Sequence, residues 1–389
     1  MAETNDTIRR ELGVSSATQA ALHQRMDGSD SCEPNQLNKK NSEGLRVGVT
    51  ERGSSQRLSN FDFPEKSIFR KRVELKPYEY PQLLKYRDAI RHSYWLHTEF
   101  TLTGDIQDWF TRTSYVERSI LKRTMLAISQ VEVAVKTFWS RIYDRMPKPE
   151  IAEVGMTFAE SEVRHANAYS FLLEALRLDE DFRRLKDIPA INRRIEYLSD
   201  VQKYVQSQNP REFVLTLLLF SAFVEHVSLF SQFLIMMSFN RYKGIFKAIS
   251  NIVEATSKEE QVHGLFGQEL TNIVKGEHPD WFDHDFEREL YQFVLAAYEA
   301  EREVLGWIFE EGELEFLQVL TVEEFLKSRF NRSMEGVGYR AVFQVNQELL
   351  SKTAWFDEEL VAKKENDFFN KRSVDYSKKL QQFTADSLF

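Results

Sequence analysis

The sequence predicts an all-α fold, a helical bundle with additional flanking helices and a polar site in its core. Helix breakers are scarce, with 15 Gly and 9 Pro in 389 residues. Apolar residues recur every three or four positions through most long segments, the period of an amphipathic helix rather than a strand. Several carboxylates and histidines fall on those same apolar faces, where a purely structural core would not put them. A hydrophobic share of 42% is enough to bury a sizeable core.

Taken in order, residues 1–60 are rich in Ser, Asn, Gly and charge, and read as a flexible N-terminal arm with at most a short helix near 7–26. The helical domain is expected over 61–352. Its first helix spans about 80–94. The second, 114–144, opens on a capping box of Ser114 and Glu117, and Pro147 and Pro149 separate it from a third over 150–177. A fourth covers 189–207. The fifth, 210–238, starts with Asn209 as cap, Pro210 in the first turn and Glu212 at the third position. Helices over 243–272, 281–309 and 321–352 complete the list. Residues 353–389 lose the periodicity and read as a flexible charged tail with scattered aromatics.

Composition excludes some functions. A net charge of -9 leaves no broad basic surface for phosphates, so nucleic acid is not expected as a direct partner. The single cysteine, Cys32, cannot form an internal disulfide, and no basic-then-apolar leader opens the chain, so a cytoplasmic location is expected. The apolar stretch 213–237 has the length of a membrane span, but Glu225 and His226 sit at its centre. A mid-span acid costs about 2.5–3.5 kcal/mol on insertion scales, so a buried bundle helix is the better reading and no membrane is expected.

The chemistry lies in the helical stripes. Leu121, Met125, Ile128, Glu132, Val135, Trp139 and Ile142 step by four and three, which puts Glu132 on the core face. The next helix places Glu162, His165 and Tyr169 in one row with Ile151, Phe158 and Leu172. Glu225 lies inside the following apolar run, and Glu260 and His263 share a face with Ile249, Ile252 and Leu270. Residues three apart are neighbours on a helix, so each Glu-x-x-His can grip one ion. Four buried carboxylates facing one core require cations or shared protons. One Glu from each of two helices plus Glu-x-x-His from each of two others is the ligand set of ferritin-like dimetal proteins. A lone Glu-x-x-His would be a weak signal; two on core-facing stripes are a strong one.

Two neighbours of these ligands need weighing. His226 points about 100° away from Glu225, which suits packing rather than ligation. Tyr169 follows His165 by one turn on the ligand face, a position for redox work as well as for an ordinary buried tyrosine.

At these residues the chain resembles the small subunit of class I ribonucleotide reductase, from about 80 to the C-terminus. The resemblance implies a radical-generating oxidoreductase subunit with a dinuclear centre (Fe/Fe, Mn/Fe or Mn/Mn), active only with a large subunit and forming a homodimer. An activating flavoprotein is a possible further partner. By resemblance Tyr169 stands at the radical tyrosine, and Trp95 in His92-Ser93-Tyr94-Trp95 at the electron-transfer tryptophan. Tyr376, after Phe368-Phe369-Asn370-Lys371-Arg372, stands at the tail tyrosine that relays the radical, with Phe389 as a terminal docking residue. Asn331-Arg332 also matches a family pair.

Two departures stand out. Glu259 replaces the usual Asp that links the tryptophan to a metal-bound His, and Glu132 is the first ligand where other members have Asp. Rival readings are a ligand-binding dimetal oxidase on the same scaffold, which would not need Trp95 or the tail, and a ferritin-like iron-storage protein, which the long chain and tail disfavour.

Overall fold

The computed structural model describes residues 63, 66–203, 207 and 209–367. Their order is a turn and helix α1 (Leu84–His92), α2 (Thr103–Thr111), α3 (Tyr115–Ser140), α4 (Pro149–Ala175), the short α5 (Asp179–Arg183) and α6 (Pro189–Lys203). A long helical run follows, as α7 (Pro210–Leu219), a π-helix (Phe220–Ser228) and α8 (Phe230–Lys243). Then come α9 (Lys247–Glu277), α10 (His284–Ile308), α11 (Val319–Gly336), α12 (Gln347–Ser351) and α13 (Ala354–Asp367). Among the described residues there is no strand, only an isolated bridge between Leu314 and Leu317.

Capping chemistry starts the helices where the sequence signals it. Ser114 Oγ accepts from the Glu117 amide at 3.2 Å while Glu117 returns the bond to the Ser114 amide at 2.8 Å. Asn209 accepts from the Arg211 amide at 3.0 Å ahead of Pro210. The α9 start is less ordinary: Phe246 is left-handed (φ 58°), and Asp105 of α2 accepts from the Ala248 and Ile249 amides. An acid from another helix therefore does the work of the missing N-cap.

Helices α3, α4, the π-interrupted run and α9 form the bundle that holds the polar site, and the other helices flank it. The run Pro210–Lys243 is the one described helix long and apolar enough to cross a membrane, and its most apolar window is wholly buried. Its apolar surface is taken up by neighbouring helices. Close approach of α9 to the π-helix depends on two glycines three apart. A Cβ on Gly264 would fall 2.8 Å from His226 Cβ, and one on Gly267 would fall 2.0 Å from Ser221 Cβ.

Four sequence expectations change. Helix α2 was not foreseen, since a Gly at its second position hides a weak nine-residue pattern. The segment expected as one helix over 321–352 breaks after Gly336: Gly338 is left-handed (φ 81°), and Asn331 gathers the chain that follows, accepting from the Val342 and Phe343 amides. The tail expected from 353 begins with ordered helix α13, because Phe356 is fully buried against Phe230 and Phe325. The fourth change is the π-segment, which interrupts what the sequence reads as uniform α-helix. The arm at 1–60, Tyr376 and Phe389 lie outside the described residues.

Candidate metal centre

All six ligands expected from the stripes are buried and converge. Glu132 comes from α3, Glu162 and His165 from α4, Glu225 from the π-helix, and Glu260 and His263 from α9. They form two groups whose ligand atoms lie within 4.8 Å of one another: Glu132, His165 and Glu260 in one, Glu162, Glu225, Glu260 and His263 in the other. Glu260 belongs to both. Its Oε1 lies 2.8 Å from His165 Nδ1 and its Oε2 lies 3.3 Å from His263 Nδ1. Glu162 reaches across in the same way, 3.0 Å from His263 Nδ1 and 3.7 Å from His165 Nδ1.

Each imidazole is oriented from behind. His165 Nε2 sits 2.7 Å from Glu259 Oε2, an acceptor, so that nitrogen carries the proton and Nδ1 turns its lone pair to the site. Ser161 Oγ donates to the Phe158 carbonyl at 2.8 Å, leaving its lone pair to accept from His263 Nε2 at 3.0 Å. Two different partners fix the same tautomer.

The electrostatics are those of a site built for cations. Burial, then the charges of Glu260 and Glu162, push Glu225 well above the usual carboxylate range. Burial opposes ionisation of Glu260 too, but its bond with Glu225 and the imidazoles of His263 and His165 hold it below that range. Burial disfavours charged imidazoles, yet the carboxylates facing His165 and His263 raise both well above normal. Without a metal the charge balance falls on protons. Both oxygens of Glu162, Glu225 Oε2, Glu260 Oε1 and His165 Nδ1 make no hydrogen bond although fully buried. Orphaned acceptors aimed at common points, with imidazole and carboxylate as the donor set, fit two divalent transition metals.

The π-helix is supported by one local and one distant partner. Ser228 Oγ donates to the Phe223 carbonyl five residues back, and the Arg329 guanidinium donates twice to the His226 carbonyl, at 3.1 and 2.9 Å. These partners satisfy carbonyls that a widened helix leaves over, and such bulges gather at functional sites. His226 itself turns away, bonding Ser333 and Gln261 at 2.8 Å each, the packing role expected of it.

Tyr169 is buried one turn beyond His165, and its hydroxyl makes no hydrogen bond. Burial first, then the Glu132 charge, raises its pKa well above normal, against a weaker pull from Thr256. Trp95 is 6% exposed and faces the His165 ring, centroids 6.1 Å apart and planes 18° apart. Its indole N–H has no partner. Glu259 therefore reaches His165 but not the indole. Arg164 joins them instead: it donates to both Glu259 oxygens at 3.2 and 3.1 Å and to the Trp95 carbonyl at 3.3 Å, and lies 5.8 Å from the Trp95 ring centre.

Sequence reasoning passed over Arg164, Ser161 and the indole of Trp139. Trp139 lies on the Glu132 stripe, and its Nε1 donates to Glu225 Oε1 at 2.8 Å. The signal for it was an indole on a ligand-bearing face. Arg164 carried a weaker one, a cation adjacent to His165.

A family model described as "Ribonucleotide reductase, small chain" matches residues 72–349. A probable ribonucleoside-diphosphate reductase small subunit of Invertebrate iridescent virus 3 is 23% identical over 331 residues, 81% of this chain and 87% of that protein. Among solved structures, the ribonucleotide reductase R2 subunit from Clostridium botulinum superposes with a TM-score of 0.67 at 16% identity, covering 77% of this chain and 99% of that one. The dimanganese(II)-NrdF of Streptococcus sanguinis superposes with a TM-score of 0.62 at 16% identity, covering 73% and 100%.

Proposed function

The chain belongs to the ribonucleotide reductase small-chain family, and from this premise we propose that Glu132, Glu162, His165, Glu225, Glu260 and His263 hold two metal ions whose oxidising equivalent leaves by way of Trp95. The protein is the small, radical-generating subunit of ribonucleoside-diphosphate reductase, an oxidoreductase that works with a large subunit. One observation carries the site assignment: Glu260 is common to both ligand groups, so this one carboxylate would serve both ions. When bound, the metals supply one-electron redox chemistry with oxygen or superoxide.

The chain's own residues then have separable tasks. His165 and His263 present Nδ1 because Glu259 and Ser161 hold their other nitrogens. Trp139 occupies one oxygen of Glu225 and leaves the other for a metal. The buried apolar wall of Phe158, Trp139 and Phe266 keeps water from the site. Tyr169 keeps its proton until an electron leaves, so its oxidation to a neutral radical requires both to depart. Trp95, against His165, is the exit toward Tyr376, and the tail 353–389, which opens with α13, docks the large subunit.

The pair is Fe/Fe, Mn/Fe or Mn/Mn, all compatible with an imidazole–carboxylate set. The dimanganese neighbour supports keeping manganese among the candidates. A homodimer, a cytoplasmic location and, where superoxide is the oxidant, an activating flavoprotein complete the reading.

Low-temperature EPR with metal analysis tests it, on protein loaded with iron, manganese or both and exposed to oxygen or superoxide. A tyrosyl signal lost in Tyr169→Phe makes Tyr169 the store; a persistent mixed-valent metal signal moves the store to the metals. Neither signal under a loading that fills the site overturns the proposal. Deleting 370–389 should abolish reductase turnover with the metal content unchanged, which a ligand-binding oxidase on this scaffold would not show.

A further inference from the structure

The His263 side of the centre has aromatic contacts of its own that lead outward to the buried Tyr86. Trp139 lies 6.1 Å from the His263 ring and 5.7 Å from Phe266, centroid to centroid. Phe266 in turn meets Tyr86 of α1 edge-on at 5.5 Å. The Tyr86 hydroxyl donates to Glu269 Oε2 at 2.5 Å, and Glu269 is 24% exposed and paired with Lys85 at 2.6 Å. Every ring from His263 to Tyr86 therefore packs on the next, and the outermost, itself buried, has a proton acceptor already bonded in the partly exposed Glu269.

Building on the function proposed above, we infer that Trp139 and Tyr86 form a second electron path, which drains oxidising equivalents from the His263 side when the Trp95 route is not engaged. An electron moves inward from Tyr86 through the Phe266 contact to Trp139 and on to the centre, which is reduced by one equivalent. The Tyr86 O–H bond breaks as the proton passes to Glu269, leaving a neutral phenoxyl. The Lys85 ammonium, 4.7 Å over the Tyr86 ring, disfavours a cation radical, so electron and proton leave together. A small surface reductant such as ascorbate then returns one electron, and Glu269 returns the proton. Trp139 is also placed to pass charge directly, since its N–H holds the Glu225 ligand.

The test is the lifetime of the oxidised EPR signal in full-length loaded protein without the large subunit, with and without ascorbate. Tyr86→Phe removes the donor but touches no ligand, so it should leave metal content unchanged, lengthen the signal's life several-fold and abolish most of the ascorbate acceleration. Trp139→Phe should lengthen it as well, and Glu269→Gln should slow decay by removing the proton acceptor. A signal that decays alike in wild type and Tyr86→Phe, with equal ascorbate response, overturns the path while leaving the function standing. No signal in any form, wild type included, takes both down.

Discussion

The two Glu-x-x-His halves are written alike in sequence and housed differently. Around His165 the surroundings are polar: Glu259 behind the ring, Arg164 spanning Glu259 and the Trp95 carbonyl, and Ser93 at 3.5 Å from Glu259. Around His263 they are aromatic, with Phe158 at 4.2 Å and Trp139 and Phe266 beyond, and the only polar support behind the ring is Ser161, among the described residues. Equal ligand spacing thus does not mean equal reactivity. A charged backing makes His165 a stronger donor and connects it to other charges, whereas His263 is backed by a neutral hydroxyl and its other contacts are aromatic rings.

Removing what the halves share should have the largest effect. Glu260→Ala deletes the carboxylate common to both groups, so metal analysis should find both ions lost; retention of one full equivalent would show that the halves bind independently. Arg164→Met strikes only the polar half. Arg164 and Glu259 are 4% and 1% exposed as side chains, and breaking a buried pair costs about 3–5 kcal/mol. Denaturant unfolding should show a loss of that order, and forward transfer should fall although the ligands remain.

The backing groups can then be compared directly. Glu259→Gln and Ser161→Ala each remove or weaken the partner of one imidazole, and such changes typically lower metal affinity about 10–100-fold. Glu259→Gln should give the larger loss in a competition titration, because it withdraws a charge as well as an acceptor; equal losses would mean that backing charge does not distinguish the halves. Gly267→Ala should act on stability rather than on the ligands, because its new Cβ would lie 2.0 Å from Ser221 Cβ. Overpacking of this kind costs about 1–3 kcal/mol, read as a lowered unfolding midpoint.

What the sequence made legible follows from periodicity. Glu132, Glu162, His165, Glu260 and His263 lie on apolar stripes of long α-helices, where a residue's face is set by its position, and Glu225 lies within an apolar run; all six are buried. What it concealed depends on contacts between distant segments. The π-helix is supported by Arg329 of α11 and packs closely on two glycines of α9, and no local pattern at 220–228 announces either. The break after Gly336 rests on Asn331 collecting amides eleven and twelve residues on. The Asp105 cap on α9 bridges more than a hundred residues. Arg164 is hidden for a related reason: its burial is set by α9 and Trp95, not by its neighbours in α4.

The π-helix also makes Glu225 sensitive to the reading of single codons. Its hydrogen bonds reach one residue further along the chain than those of an α-helix, and an in-frame deletion of one codon within 220–228 would shift every later residue of the run by one position. Everything on one side would then rotate by about 100° and slide by about 1.5 Å relative to the other. Glu225 and the face of α8 could not both keep their present directions. An insertion or deletion here is therefore far more damaging than most substitutions, and lineages carrying this chain should hold the length of that segment fixed even where its letters drift.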